Sequence, residues 1–186
     1  PYPNHSRVHF LYLGRIMKEK GIEELFYAVR RLKEENEDFV LDLAGFFEDI
    51  YKKQVEELEQ LGIAHFYGFQ SDPRPFYAEA DCVVLPSYHE GMSNVLMEAS
   101  ATGRPVITTT VSGCKEVFEE GVTGFGCRKE DSEDLIRALE KFLALPLGKR
   151  AEMGRKAREK MEREFDREKV ADAYLQEINT ILEKRG

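Results

Sequence analysis

Short apolar runs alternate with longer segments of helical hydrophobic spacing along most of the chain. Runs rich in Val, Ile, Phe and Tyr that end near Gly or Pro are typical of buried strands. Because strands that alternate with helical segments form βα units, this pattern predicts an α/β fold around a parallel sheet. Six strands are predicted, at Val8–Leu13, Phe39–Ala44, His65–Tyr67, Cys82–Leu85, Val106–Thr109 and Phe125–Cys127.

The segments between the strands are amphipathic. Ile22–Glu35 and Ile50–Leu61 both repeat apolar residues at the helical period, which indicates helices packed on a sheet. Pro146 and Gly148 interrupt the last helical pattern, so we expect one domain over residues 1–146 and C-terminal helices over residues 147–186 packed on the same domain. The other predicted helices are Pro75–Glu79, Asn94–Ala101, Lys115–Glu119, one that begins with Ser132 as its N-cap, Lys149–Glu164 and Arg167–Lys184.

Charge and composition exclude several classes of protein. The 186 residues contain 27 Lys and Arg against 35 Asp and Glu, a formal charge of −8, whereas binding to nucleic-acid phosphates requires a surplus of cations. No nucleic-acid partner is therefore expected. The apolar stretches are far shorter than the roughly 20 residues of a membrane span. The segment Lys149–Lys169 is rich in both charges and is either a solvated helix with ion pairs or a helix that binds a membrane surface or partner.

The cysteine and histidine positions suggest no metal site. Cys82, Cys114 and Cys127 are odd in number and far apart, which favours neither a disulfide framework nor zinc and fits a reducing cytoplasm. The four histidines have no metal-ligand spacing, and no Asp-x-Asp pair occurs. We therefore expect a protein that works without a metal.

The first candidate for chemistry is the loop Gly14–Gly21, between the first strand and the first long helix. Gly14 allows an abrupt turn, and Arg15 and Lys20 lie near a helix N-terminus, which itself favours an anion. The loop is either a phosphate cradle or a surface turn with two solvated cations. It matches neither the dinucleotide fingerprint nor the P-loop, so a nicotinamide enzyme and a P-loop NTPase are both disfavoured.

The second candidate is the loop Pro86–Ala99, which leads from the fourth strand into a helix. Gly91 allows backbone amides to approach a ligand closely, and Ser93 or Asn94 can cap the helix. Two carboxylates would be unusual for binding phosphate alone. Glu90 and Glu98 suit a ligand that also carries hydroxyl groups, because a carboxylate accepts hydrogen bonds and a sugar offers adjacent donors.

Five sequence features occur in a specific order. They are the Gly-Arg-x4-Lys-Gly loop at residues 14–21, the Glu-x7-Glu pair Glu90/Glu98 after Ala80-Asp81, Gly103-Arg104-Pro105-Val106, Gly113-x-x-Glu116 and Gly121-Val122-Thr123-Gly124-Phe125. Together they resemble the retaining glycosyltransferases of family 4, which have the GT-B architecture, and the resemblance covers nearly the whole chain. It implies a Rossmann-like three-layer domain that is the C-terminal, donor-binding half of the GT-B fold, with the N-terminal acceptor domain absent from this chain.

The resemblance also implies roles for individual residues. Arg15 and Lys20 would contact the donor diphosphate, Glu98 the ribose hydroxyls, and Gly68 and Phe69 the base. Glu90, Arg15 and Lys20 are thereby implied to be catalytic. The backbone of Gly91, Met92 and Ser93 would hold the transferred sugar and phosphate together with Glu90, and Gly14 and Asn94 complete the donor site. Arg104 and Cys114 are expected to be structural, and whether His89 contacts substrate stays open.

The run His89–Asn94 is most similar to enzymes that build capsule, O-antigen or other lipid-linked polysaccharides. The implied reaction transfers a sugar from a nucleotide-diphosphate sugar, with UDP as the expected nucleotide, to a glycan or lipid-linked acceptor, without a cofactor. The isolated fragment is expected to be inactive. The full-length enzyme is expected in the cytoplasm, and its peripheral association with the inner face of the plasma membrane stays open. Two alternatives remain: a nucleotide-sugar epimerase of the same architecture and a noncatalytic nucleotide-sugar-binding module.

Overall fold

The computed structural model describes residues 1–35, 37–166 and 174–177. Six strands form one sheet in the order β3-β2-β1-β4-β5-β6, and every neighbouring pair is parallel. The strands are β1 (Val8–Leu13), β2 (Phe39–Ala44), β3 (Ala64–Phe66), β4 (Cys82–Leu85), β5 (Val106–Thr109) and β6 (Gly124–Cys127). This is the strand order of a Rossmann-like sheet, so the predicted six-stranded parallel sheet is confirmed. Only β3 and β6 differ from their predicted bounds, by one residue.

Six helices accompany the sheet over the described residues up to 166. They are α1 (Ile22–Glu34), α2 (Lys52–Gln60), α3 (Arg74–Glu79), α4 (Asn94–Ala101), α5 (Ser132–Leu143) and α6 (Leu147–Glu164). Short 3₁₀ turns at Lys18–Lys20 and Asp49–Tyr51 precede α1 and α2. Most of the predicted helix Arg167–Lys184 lies outside the described residues. The assignment of residues 147–186 to a separate set of helices stays a prediction.

Two predictions of local structure are wrong. Lys115–Glu119 forms no helix: the N–H of Lys115 donates to the carbonyl of Val111 and that of Val117 to the carbonyl of Cys114, so the bonds close successive turns and do not repeat as a helical ladder. Ser132 is not the N-cap of α5. The cap is Asp131, whose extended backbone places its carboxylate 2.9 Å from the N–H of Asp134, and a carboxylate is a strong acceptor for this role.

The helices cover both faces of the sheet. In the sheet, β2 lies to one side of the central pair β1 and β4, and β5 lies to the other side. The crossover through α1 and the crossover through α4 therefore run in opposite directions along the sheet. Because parallel crossovers are right-handed, these two helices lie on opposite faces. On the first face α5 packs beside α1, and the ring of Phe142 lies 5.9 Å from that of Phe10 in β1. On the second face α6 packs against α4.

Helix α6 approaches the turn after α4 closely. A Cβ atom on Gly154 would lie 2.2 Å from the carbonyl oxygen of Gly103, so the two backbones are almost in contact. The outer face of α6 carries ion pairs one turn apart, including Lys156–Glu152 and Arg158–Glu162. These pairs favour the solvated interpretation of the charged segment. None of the described helices is long and apolar enough to cross a bilayer.

Arg104 stabilises the amino edge of the sheet, as the sequence led us to expect. It is 4% exposed and donates to the carbonyl oxygens of Tyr77 at 2.6 Å, Ala78 at 2.9 Å and Pro1 at 3.0 Å. Burial lowers the pKa of its guanidinium, yet the three carbonyls keep it bonded. Its side chain also lies over the ring of Tyr2.

Replacement of Arg104 by alanine is expected to lower the free energy of unfolding by about 2–4 kcal/mol, because buried carbonyls would lose a charged donor. Arg155→Ala is the control. It removes an exposed arginine that is paired one turn along α6 with Glu159, and it should cost about 0.5 kcal/mol or less. Urea denaturation measures both variants. Equal losses for the two would show that the buried arginine has no special structural role.

Candidate functional site

The loops after β1 and β4 meet at the carboxyl edge of the sheet. These two strands are neighbours, and their helices leave in opposite directions, so the surface between the loops, here called the crevice, is the switch point at which open α/β sheets bind ligands. The N–H of Tyr88 donates to the carbonyl of Glu19 at 2.8 Å. A Cβ atom on Gly21 would lie 2.0 Å from the carbonyl oxygen of Pro86, so only glycine permits this approach. The two predicted loops therefore form one surface.

An ion pair joins the two loops at the centre of the crevice. The ammonium of Lys20 lies 2.5 Å from Oε1 of Glu90, and the hydroxyl of Ser87 donates to the same oxygen at 2.7 Å. The side chain of Lys20 is 25% exposed and that of Glu90 is 13% exposed, so solvent screens the pair only in part. The sequence placed these two residues in one site without predicting that they touch.

Arg15 provides a second cation in the first loop. It is exposed, and no described residue offers its guanidinium an ion pair. Its backbone is fixed, because its carbonyl accepts a hydrogen bond from the buried hydroxyl of Tyr12 at 2.6 Å. Burial raises the pKa of Tyr12, and the nearby charge of Glu90 adds to the shift, so Tyr12 stays a neutral donor. The N–H of Gly14 donates to the carbonyl of Ala44 at 3.0 Å.

The second loop ends at the N-terminus of α4. Ser93 is the N-cap, with its hydroxyl 3.5 Å from the N–H of Leu96, and the exposed Asn94 begins the helix. The N–H of Ser93 donates to the carbonyl of Gly113 at 3.1 Å. Gly91 and Met92 are exposed beside it. The loop thus exposes Gly91 and Met92 at a helix N-terminus, an environment that favours an anion, whereas the N–H of Ser93 is already bonded within the chain.

Glu98 lies at the edge of a separate groove between α3 and α4. Its Oε2 accepts a hydrogen bond from the hydroxyl of Tyr77 at 3.0 Å, and residues 71–74 line the groove, whose volume is about 530 Å³. Burial of the Tyr77 ring, followed by the charge of Glu98, raises the pKa of the tyrosine. Glu98 remains exposed, and no described cation pairs with it. The two predicted carboxylates therefore have different partners.

Two aromatic rings follow β2 and β3 at the same edge. Phe69 is exposed and stacks on exposed Phe46, with the ring centroids 4.7 Å apart and the planes 8° from parallel. The carbonyl of Gly68 accepts the N–H of Gly45 at 2.9 Å, which links the two loops. His89 is exposed beside Glu90. Gly68 and Phe69 thus lie at the edge where the donor site was predicted.

The remaining candidates for chemistry are a metal site and a nucleophilic thiol. Among the described residues, no group of three His, Cys, Asp or Glu side chains is arranged to hold a metal. Cys114 lies fully buried beneath the crevice, and burial raises the pKa of its thiol, which disfavours a nucleophilic thiolate. The expected independence from metal and cofactor stays a prediction.

Sequence reasoning missed Ser87 and Tyr77 as partners of the two carboxylates. Ser87 lies three residues before Glu90 inside the second predicted loop, and a hydroxyl at that spacing was a usable signal. Tyr77 lies 21 residues before Glu98, on another helix, and nothing in its local sequence distinguishes it from a core aromatic residue. The roles implied for the other site residues stay predictions.

Comparison with known proteins gives concordant matches. Residues 3–160 match the family model described as glycosyl transferases group 1. The chain is 34% identical over 166 residues to the lipopolysaccharide core biosynthesis glycosyltransferase LpsE of Rhizobium meliloti, and the match covers 88% of this chain and 47% of LpsE. The chain thus spans about half the length of the curated relatives it matches.

Solved structures share the fold. Sucrose-phosphate synthase from Thermosynechococcus elongatus superposes with a TM-score of 0.81 at 26% identity, over 96% of this chain and 46% of that one. Anabaena HepE in complex with UDP superposes with a TM-score of 0.80 at 22% identity, over 94% of this chain and 49% of that one. These neighbours agree with one half of the GT-B fold. With a family model that spans most of its length, the chain belongs to the glycosyl transferases group 1 family.

Proposed function

We propose that this chain is the donor-binding domain of a retaining glycosyltransferase that moves a sugar from a UDP-sugar to a glycan or lipid-linked acceptor in polysaccharide biosynthesis. The observation that carries the proposal is the crevice between the loops after β1 and β4, where Lys20 pairs with Glu90 and the exposed Arg15 lies in the same loop as Lys20. Two relatives support it: one is named for lipopolysaccharide core biosynthesis, and one was solved with UDP.

The cations would act on the leaving group. Cleavage of the bond between sugar and phosphate develops negative charge on the departing diphosphate, and fixed positive charge there lowers the barrier. Lys20, Arg15 and the N-terminus of α4 supply that charge. The proposed retaining course has the acceptor hydroxyl arrive on the face that the leaving group vacates. No nucleophile from the described residues is needed for it.

The carboxylates would recognise hydroxyl groups at two points of the donor. Glu98, at the groove between α3 and α4, would accept from the ribose, while Glu90 would accept from the transferred sugar. The remainder of the full-length enzyme, an N-terminal acceptor domain, would close the crevice and bind the acceptor. This chain alone would then bind the donor without transferring the sugar.

Isosteric substitutions test the assignment of the two carboxylates. Glu98→Gln should weaken the binding of UDP and of UDP-glucose alike, by about 1–3 kcal/mol, because both ligands contain ribose and the amide is a poorer acceptor. Glu90→Gln should weaken only the binding of UDP-glucose. Isothermal titration calorimetry with both ligands measures the two effects.

Glu57→Gln is the control, since Glu57 is an exposed carboxylate on α2 that pairs with Arg30. It should change neither affinity. If the Glu90 and Glu98 variants also bound both ligands as the unmodified protein does, the two carboxylates would not contact the donor. The proposed function would then lose its support.

A further inference from the structure

Ser87 is held rigidly at the end of β4. It is fully buried, its hydroxyl donates to Oε1 of Glu90 at 2.7 Å, and its carbonyl accepts the hydroxyl of Thr109 in β5 at 2.6 Å. Its hydroxyl therefore occupies a fixed point just beyond the sheet, at the start of the loop that carries Glu90. Neither the family match nor the sequence motifs assign it a role.

The hydrogen bonds on Glu90 are unevenly distributed. Both recorded donors, the ammonium of Lys20 and the hydroxyl of Ser87, meet Oε1, which is the usual capacity of one carboxylate oxygen. No described residue donates to Oε2, and this atom is not among the buried polar atoms that lack a partner. Oε2 is therefore an acceptor that no described residue uses and that is not fully buried.

We propose that Ser87 is a positioning residue for the donor sugar: with Lys20 it fixes Oε1 of Glu90, and so it aims Oε2 at a hydroxyl of the transferred sugar. This inference rests on the proposed function. The terminal torsion of a glutamate is broad, and lysine is a flexible point charge that could donate to either oxygen. The rigid hydroxyl of Ser87 is thus what distinguishes the two oxygens, and this preorganisation favours binding.

Calorimetric titration of the protein that carries this chain tests the proposal, with UDP, UDP-glucose and UDP-N-acetylglucosamine as probes. Ser87→Ala should lower the affinity for the better-bound UDP-sugar about 5- to 10-fold and keep the affinity for UDP within about twofold of that of the unmodified protein. Thr108→Val is the matched control, because Thr108 is an equally buried neighbour whose hydroxyl donates to the carbonyl of Leu85 and does not reach Glu90. It should not change the ratio of the two affinities.

Two further variants separate positioning from general destabilisation. Ser87→Thr, which keeps the hydroxyl, should restore the affinity for the UDP-sugar to within about threefold. In the Glu90→Gln background, Ser87→Ala should cause no additional loss, since Ser87 acts through Glu90. This second measurement decides the matter even if the threonine variant does not fold.

The possible failures are distinguishable. If the unmodified protein binds none of the three probes, the proposed function fails and this inference with it. If it binds them but Ser87→Ala weakens UDP and the UDP-sugar equally, or Thr108→Val gives the same selective loss, only the positioning role of Ser87 is overturned. Additive losses for Ser87→Ala and Glu90→Gln would likewise overturn it.

Discussion

Gly113→Ala is expected to disrupt the crevice while leaving the sheet intact. Gly113 adopts a φ of +85°, and a Cβ atom there would lie 1.4 Å from the carbonyl oxygen of Gly91 and 2.6 Å from that of Glu90. Both neighbours are backbone atoms, so the loop that carries Glu90 must move. We expect a loss of about 3 kcal/mol or more in the free energy of unfolding and more than about tenfold in affinity for UDP-glucose.

Gly121→Ala is the control for backbone strain alone. Gly121 has a φ of +70°, and no described heavy atom lies within 4 Å of the added Cβ, so this variant bears only the cost of the left-handed conformation, about 1 kcal/mol. Urea denaturation and calorimetric titration compare the two variants. If they were equally stable and bound UDP-glucose equally well, the contact between residues 91 and 113 would not support the site.

Lys20→Ala is expected to cause a large loss of affinity for diphosphate. The variant removes a cation and also leaves Glu90, which is 13% exposed, without its ionic partner beside the bound anion. We expect UDP to lose about 2–3 kcal/mol of binding free energy, while uridine, which has no phosphate, changes by less than about twofold. Arg15→Ala removes an exposed cation that no described residue pairs with, and it should lower the binding free energy of UDP by about 1 kcal/mol.

Two comparisons identify the cause of the loss. Lys18→Ala removes a more exposed lysine that lies 3.9 Å from Glu23, and it should leave the affinity for UDP unchanged. Adding Glu90→Gln to Lys20→Ala should recover part of the affinity for UDP, because the uncompensated carboxylate is gone. Equal losses for uridine and UDP in the Lys20 variant would contradict the phosphate assignment.

The strands could be predicted from the sequence because their signal is local. Both faces of a parallel sheet are covered, so its strands are short apolar runs, and β1, β2, β4 and β5 have their predicted bounds. The segment Lys115–Glu119 was misread because its charges and apolar residues fit a helical period. The segment instead forms successive turns, closed by the bonds from Lys115 to Val111 and from Val117 to Cys114. Such isolated turn bonds leave no periodic pattern in the sequence.

The candidate site could be predicted only as two separate loops. Their positions after strands indicated where a ligand would bind, but nothing local shows that β4 lies beside β1. The contact between Lys20 and Glu90 spans 70 residues, and it depends on that strand order. The partners of Asp42, a buried carboxylate in β2, could not be predicted either. His9 bonds this carboxylate at 2.9 Å and the hydroxyl of Tyr67 donates to it at 3.1 Å, and both residues lie in other parts of the chain.

The ion pair between Lys20 and Glu90 also bears on which anions can compete for the crevice. Because the two charges neutralise each other at 2.5 Å, a small ion such as phosphate or sulfate gains little attraction there and must first draw the ammonium away from its carboxylate. A ligand that brings phosphate oxygens and hydroxyl groups together satisfies both partners at once. In the proposed donor site, the pair would therefore favour such a ligand over simple anions.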